Sequence, residues 1–138
     1  VAGCISPWNL PLYLLTRKFA PALATGNTVV AKPSEVTPLT AGRLSELALE
    51  ADLPPGVLSI VQGRGETVGR RIVEHPDVPT ITFTGGTATG ESIARTAGPM
   101  FKRMCLELGG KNATIVCEDA DLEKSMGTIV LSCFQNSG

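Results

Sequence analysis

The stretch Leu106-Glu107-Leu108-Gly109-Gly110-Lys111 is the one around which this chain is organised. It closes an apolar run and places one acid between two leucines, directly before a pair of glycines. Apolar neighbours remove water from a carboxylate, which makes Glu107 a stronger proton acceptor and suits it to general-base catalysis. The glycine pair lets another backbone or a flat ligand approach closely. The alternative for Glu107 is a surface acid at a strand end before a glycine turn.

Composition and charge restrict the classes of protein to which the chain can belong. Its 138 residues suit one domain with a buried core, and 43% hydrophobic residues, 18% charged residues and a net charge of -1 are typical of a soluble globular protein. This balance indicates no nucleic-acid partner and no membrane association. The four cysteines stand singly among apolar residues, which predicts buried free thiols and a cytoplasmic location. No metal site is predicted, because the cysteine and histidine spacing of zinc sites is missing.

Short β-branched runs alternate with longer amphipathic stretches along the chain. The predicted strands cover residues 4–6, 28–31, 57–61, 80–83, 103–108 and 113–117. The first predicted helix covers residues 12–19, and a second short one begins at Pro21. The next is capped by Thr37 and ends near residue 50, and another begins at residues 63–65 and ends near residue 74. The last two are predicted around residues 91–96 and from residues 119–121 toward 132. Because the strand runs do not alternate in polarity, they predict an α/β fold with an open parallel sheet and helices on both faces.

Five loops follow predicted strands, and ligands of open parallel sheets bind beyond the carboxyl ends of the strands. Each of these loops carries glycine, proline or a functional polar residue. They are residues 7–9, 32–35, 63–65, 84–87 and 107–111. Five such loops in phase predict a ligand-binding rim along one edge of the sheet.

Taken together, the five loops resemble the sequence blocks of the aldehyde dehydrogenase superfamily. The matching blocks are Pro7-Trp8-Asn9, Lys32-Pro33-Ser34-Glu35, Gly63-Arg64-Gly65 with Gly69, Phe83-Thr84-Gly85-Gly86 and Glu107-Leu108-Gly109-Gly110-Lys111. The resemblance implies a Rossmann-like, partial NAD-binding domain over residues 1–138, with the catalytic and oligomerisation segments outside it. The closing residues 134–138 are similar to the approach to the family's nucleophilic cysteine, which is expected a few residues beyond Gly138.

Each polar position of these blocks also has an alternative interpretation without a functional role. Asn9 carries an amide on a turn stiffened by prolines; the resemblance implies an oxyanion donor, and the alternative is a turn asparagine bonded to its own backbone. Trp8 beside it either contacts the cofactor or only packs. Lys32 can reach ribose hydroxyls or phosphate, or it is a solvated loop lysine. Glu35 can accept a hydrogen bond from a 2′-hydroxyl and repel a 2′-phosphate, which favours NAD over NADP, or it is a surface acid.

The glycines of the blocks are expected to leave room for close approach of the cofactor. Gly65 and Gly69 allow the adenine end to approach a helix start, although a plain strand-to-helix turn is the alternative. Gly85 and Gly86 open a helix whose N–H groups could bind the pyrophosphate. The family commonly has serine at position 86, so a hydroxyl contact to phosphate is lost here. The full set of implied cofactor contacts is Ile5, Ser6, Pro7, Trp8, Lys32, Ser34, Glu35, Gly65, Gly69, Phe83, Thr84, Gly85, Gly86, Glu107, Leu108 and Gly109.

The resemblance implies oxidation of an aldehyde to an acid through a cysteine thioester in the full-length protein. Asn9 would stabilise the oxyanion and Glu107 would activate the water that releases the acid. Two alternatives stay open: a relative that passes the thioester to coenzyme A, which has no need of a base at Glu107, and a non-catalytic nucleotide-binding fragment. The expected partners are a small aldehyde and further copies of the full-length protein.

Overall fold

The computed structural model describes residues 1–110 and 112–135, and the chain divides into two compact units, Val1–Leu108 and Gly109–Gly138. The first unit contains five short strands. They are β1 (Ala2–Ile5), β2 (Val29–Lys32), β3 (Leu58–Ile60), β4 (Thr80–Thr84) and β5 (Arg103–Glu107). All five pair in parallel in the order β3-β2-β1-β4-β5, which confirms the predicted open parallel sheet.

Helices connect successive strands, as parallel pairing requires. They are α1 (Pro11–Ala24), α2 (Leu39–Glu50), a π-helical turn (Gly65–Gly69) that runs into α3 (Arg70–Glu74), and α4 (Thr87–Ala97) followed by a 3-10 turn (Gly98–Met100). The chain builds outward from β1 through β2 to β3, then returns to the other side of β1 to form β4 and β5. The carboxyl ends of β1 and β4 therefore flank the point at which the direction of winding reverses, where ligands of such sheets bind.

Two hydrophobic cores hold the helices against opposite faces of the sheet. Under α1 and α2 the buried residues are Ala2, Cys4, Leu15, Phe19, Val29, Ala31 and Ala41. Under α3 and α4 they are Ile5, Ile72, Val73, Val78, Ile81, Phe83, Ile93 and Ala97. Consecutive residues of one strand alternate between the two cores, as Cys4 and Ile5 do. Burial on both faces explains why the central strand β1 is apolar throughout.

Helix α1 differs from the predicted pair of short helices. It continues through Pro21 to Ala24, so the predicted restart is wrong. Proline removes one helical hydrogen bond, but Leu14, Leu15 and Phe19 are buried along the same helix, and this packing outweighs the loss.

Helix α2 begins one residue later than a cap at Thr37 predicts. Pro38 occupies the cap position, and no side chain caps the helix. The Thr37 N–H donates instead to the Ser34 carbonyl at 3.2 Å, so Thr37 belongs to the turn before the helix.

The second unit contains one described helix, α5 (Leu122–Phe134). Asp121 caps it by accepting the Lys124 N–H at 3.2 Å, and the Lys124 side chain and backbone hold the pKa of Asp121 below its usual range. The predicted helix start is thus confirmed. Residues 113–117 form no strand, contrary to prediction, because a strand needs a neighbouring ladder and none is present in the described part of this unit.

The cysteines are free thiols, but their environments differ from the predicted one. Cys4 is buried in β1, whereas Cys105 on the edge strand β5 and Cys117 are exposed. The prediction that all four are buried is therefore wrong. None of the helices within residues 1–110 and 112–135 has the length and apolar character needed to traverse a bilayer.

Candidate active site

A cleft of about 810 Å³ opens at the carboxyl ends of β1 and β4, within the first unit. Five of the predicted cofactor contacts line it: Ile5, Glu35, Gly65, Gly69 and Phe83. Its volume lies in the range of small-molecule and cofactor sites. The structure thus brings together residues from three separate sequence blocks and the last residue of β1 at the topological switch point.

One face of α4 forms another wall of this cleft, and the sequence reasoning missed it. The lining residues on α4 are Ala88, Thr89, Ser92, Ile93 and Thr96. They recur at intervals of three and four residues, which places them on one side of a helix. That spacing of small and polar residues was the available signal.

Lys32 and Glu35 form a pair beside the cleft. Lys32 is only 2% exposed, and its Nζ donates to the Pro33 carbonyl at 2.8 Å and to Glu35 Oε2 at 3.2 Å. A Cβ added at Gly69 would lie 3.6 Å from Lys32 Cδ, so the stem of the lysine packs beneath the glycine. The Glu35 backbone N–H and the Lys32 ammonium lower the pKa of Glu35. Glu35 therefore offers a fixed anionic acceptor, and Lys32 acts by positioning it.

The start of α4 offers amide donors to an anion. Gly86 occupies the cap position with extended backbone, and its carbonyl accepts the Gly90 N–H at 3.0 Å. The amides of the first helical turn therefore have no partners within the helix. A Cβ at Gly86 would meet no atom within 4 Å, which leaves room for a phosphate. The Gly85 N–H donates to the Glu107 carbonyl at 3.0 Å and is not free for this purpose.

Glu107 ends β5 and lies in a network of polar side chains. The Arg17 guanidinium forms an ion pair with Glu107 Oε2, and the Thr84 hydroxyl donates to the same oxygen at 3.2 Å. Lys18 Nζ in turn donates to Thr84 Oγ1 at 2.5 Å. The hydrogen bonds thus run in one direction, from Lys18 through Thr84 to the carboxylate.

The expected dehydration of Glu107 by its leucine neighbours is wrong, because the Glu107 side chain is 45% exposed. Leu106 packs against the core under α3 and α4, and Leu108 lies against Gly90 of α4. Side chains alternate along a strand, so both leucines point away from the face on which Glu107 meets Arg17.

Arg17 and Lys18 were also missed by the sequence reasoning. They are the two charged residues of helix α1, and this was a usable signal. Lys18 is 7% exposed; burial lowers its pKa, while the negative charge of Glu107 acts in the opposite direction. Glu107 therefore favours the charged form of Lys18 at this site.

The remaining predicted residues are distributed around the same edge of the sheet. Trp8 and Asn9 are exposed in the loop between β1 and α1, where the Asn9 amide is accessible. Ser6, Pro7 and Ser34 are buried or half-buried at the ends of β1 and β2. Gly109 belongs to the second unit. Lys111 of the last block and residues 136–138 of the predicted nucleophile approach (134–138) lie outside the described residues.

These features fit a dinucleotide. Glu35 suits a ribose hydroxyl, the start of α4 suits a pyrophosphate, and Ile5 with Phe83 supplies apolar walls. The described residues contain no group of three or more metal-ligating side chains.

Comparison with known proteins gives matches along the whole chain. The model of the aldehyde dehydrogenase family matches residues 1–138. The chain is 58% identical over 138 residues to 2-aminomuconic semialdehyde dehydrogenase of Danio rerio, which covers 100% of this chain and 28% of that relative. It is 49% identical over 138 residues to the mitochondrial succinate-semialdehyde dehydrogenase of Arabidopsis thaliana, which covers 100% of this chain and 26% of that relative.

Solved structures agree with the sequence matches. An aldehyde dehydrogenase C mutant from Pseudomonas syringae, complexed with NAD+ and octanal, is similar at a TM-score of 0.86 and 44% identity over 98% of this chain and 28% of that chain. The chain thus spans little more than a quarter of its relatives' length. Its five strand-end blocks, its sheet order and the family match over all 138 residues lead to one conclusion: the chain belongs to the aldehyde dehydrogenase family.

Proposed function

We propose that the complete protein containing this chain oxidises a semialdehyde to the corresponding acid with NAD, through a cysteine thioester. The observation that carries the proposal is that Glu35, just after β2, and Glu107, at the end of β5, place an anionic acceptor and a carboxylate at the same edge of one parallel sheet. A cofactor site and a base at one edge support oxidation followed by hydrolysis.

The substrate class is inferred from the relatives. Those from Danio rerio and Arabidopsis thaliana carry names that specify 2-aminomuconic and succinate semialdehydes. A semialdehyde of a dicarboxylic acid keeps one carboxylate beside its aldehyde. We therefore propose an anionic aldehyde as the substrate.

NAD is favoured over NADP as the cofactor. A 2′-phosphate would be repelled by Glu35, whose lowered pKa keeps it charged, whereas a 2′-hydroxyl would donate to it. The buried Lys32 already donates to Glu35, so the positive charge of Lys32 is partly neutralised within the protein. NAD+ bound to the similar Pseudomonas syringae protein supports the same choice.

Bound NAD would accept the hydride from the substrate carbon. The residues of this chain would then act around that step. The accessible amide of Asn9 would donate to the developing oxyanion, and Glu107, oriented by the Thr84 hydroxyl, would accept a proton from the hydrolytic water. A base in this position favours hydrolysis over transfer to coenzyme A. Exposed apolar residues such as Phe101, at 94%, support assembly of the complete protein into a homo-oligomer.

The test compares the first turnover with later turnovers in the complete protein. With succinate semialdehyde and NAD, Glu107→Gln should keep the initial burst of NADH but slow the steady state by about 100-fold or more, because only acid release needs the base. Stopped-flow absorbance of NADH measures both phases. Glu91→Gln, which alters an exposed acid paired with Arg95 on α4, should change neither. Equal loss of burst and steady state would refute the assigned role of Glu107.

A further inference from the structure

We propose that Lys102 is a positioning residue for the cofactor, because it joins the carboxyl ends of α3 and α4 and thereby sets the width of the cleft between them. The inference rests on the proposed use of NAD and adds to it a residue outside the strand-end blocks. Lys102 is not among the residues that line the cleft, so it would act through the two helices.

Lys102 forms hydrogen bonds to the ends of both helices. Its Nζ donates at 2.5 Å to the carbonyl of His75, the residue that follows α3. Its backbone N–H donates at 3.3 Å to the carbonyl of Ala97, the last residue of α4. One contact uses the side chain and the other uses the backbone, so both form at the same time. A single residue thus connects two helices that strand β4 separates along the chain.

The helix ends that Lys102 connects belong to the walls of the cleft. Glu74, directly before His75, and Thr96, directly before Ala97, both line it. Helix α3 packs beside α4, and the two helices share one hydrophobic core. A change in the spacing of their carboxyl ends would therefore change the width of the cleft in which the cofactor is expected to lie.

The backbone before Lys102 turns this side chain inward. Phe101 has a φ of 55°, in the left-handed region, and its N–H donates to the Gly98 carbonyl at 2.9 Å. With the bond from Lys102 to Ala97, this completes a Schellman motif, in which glycine is the usual left-handed residue. Phe101 is 94% exposed, whereas Lys102 is 7% exposed. The chain therefore accepts a strained, exposed aromatic residue while it buries a charge, which points to a role for the ammonium.

Electrostatics favour the contact between Lys102 and the end of α3. Burial lowers the pKa of Lys102, so its charged form needs a partner inside the protein. The His75 carbonyl supplies one at the carboxyl end of a helix, where the helix dipole favours a positive charge. Hydrogen bonds from charged donors are stronger than those from neutral ones. The ammonium therefore holds the end of α3 more firmly than a neutral donor would.

Removal of the ammonium leaves the rest of the turn intact. The His75 carbonyl also accepts the Val78 N–H at 3.2 Å, so it keeps a partner in Lys102→Met. Methionine has a similar length and no charge to bury. We therefore expect this variant to fold and to differ from the wild type in the spacing of the two helices.

The first experiment measures the affinity of the complete protein for NAD by isothermal titration calorimetry. Lys102→Met should raise Kd for NAD by about 10-fold, because the cleft width that fits the cofactor is then only partly populated before binding. Turnover at saturating NAD should change by less than about twofold, because Lys102 contacts no reacting group. Lys102→Arg keeps a charged donor and should restore Kd to within about threefold of the wild-type value.

A second variant separates positioning from a general loss of stability. Phe19 is buried in the core under α1 and α2, on the sheet face opposite α3 and α4. Phe19→Leu should lower the midpoint of thermal unfolding but leave Kd for NAD unchanged. An unchanged Kd in Lys102→Met, or an equal rise in both variants, would overturn the inference.

Hydrogen exchange measured by mass spectrometry tests the same connection without the cofactor. In Lys102→Met, amides of α3 and of the last turn of α4 should exchange about 10-fold faster than in the wild type, because these helix ends open more easily. Wild-type exchange rates at both helix ends would contradict the connection. Faster exchange in the variant, combined with no binding of NAD by the wild type, would support the connection and refute the proposed cofactor.

Discussion

At the residue scale, the chemistry of a side chain in this chain depends on the sheet face toward which it points. Cys4 and Ile5 are neighbours in β1, yet they belong to the cores on opposite faces. Glu107 is solvated although it stands between two leucines, because both leucines point to the other face. One step along a strand therefore changes the environment completely.

Cys4 leads to a prediction about stability at alkaline pH. The thiol is 0% exposed, and burial raises its pKa from 9.0 to about 11, against a smaller opposite effect of Lys18. Since the pKa is higher in the folded state, the contribution to stability is complete below pH 9 and is lost as the pH rises through 11. The free energy of unfolding should fall by roughly 2 kcal/mol more for the wild type than for Cys4→Ala between pH 8 and 11.

Urea denaturation at several pH values measures this difference. Cys105→Ala removes an exposed thiol and should leave the dependence on pH unchanged. Parallel stability curves for the wild type and Cys4→Ala would contradict the assignment.

At the element scale, the first turn of α4 determines how the chain would hold a pyrophosphate. Gly86→Ser should lower the dissociation constant of NAD by about fivefold, because a hydroxyl at the cap adds one hydrogen bond to a charged group. A Cβ at Gly86 meets no atom within 4 Å and the backbone there is extended, so serine fits without strain. Serine also suits a helix cap and should stabilise α4 by a few tenths of a kcal/mol.

Isothermal titration calorimetry with NAD checks this expectation. Gly98→Ser is a matched control, because its Cβ also meets open space but lies beyond the other end of α4. Weaker binding by Gly86→Ser, or equal effects of both variants, would show that the first turn of α4 does not contact the phosphates.

At the scale of the whole molecule, the two units differ in how much they bury. The first unit has a core on each face of its sheet, whereas no described residue of α5 is buried. Backbone amides are protected in proportion to the free energy needed to expose them. Amides of β1 and β4 should therefore exchange with deuterium on the order of 100-fold or more slowly than those of α5. Exchange measured by mass spectrometry tests this, and equal protection of α5 would contradict it.

The amino-acid sequence by itself determined the features that depend on near neighbours. Non-alternating strand runs predicted a parallel sheet with two covered faces, and residues 119–121 predicted the start of α5. The strand-end blocks predicted a rim that includes Ile5 and Glu35, which do line one cleft. Local conformational preferences and periodicity govern these features, so a single sequence contains the information.

Only the tertiary structure decided how distant residues meet. Arg17 and Glu107 are 90 positions apart, and their ion pair forms because the fold brings the Arg17 side chain of α1 to the end of β5. Packing likewise keeps α1 helical through Pro21. The face of α4 lines the cleft only once α4 lies on the sheet. The physical reason is that burial and charge pairing depend on distances in space, and neighbours along the chain do not specify those distances.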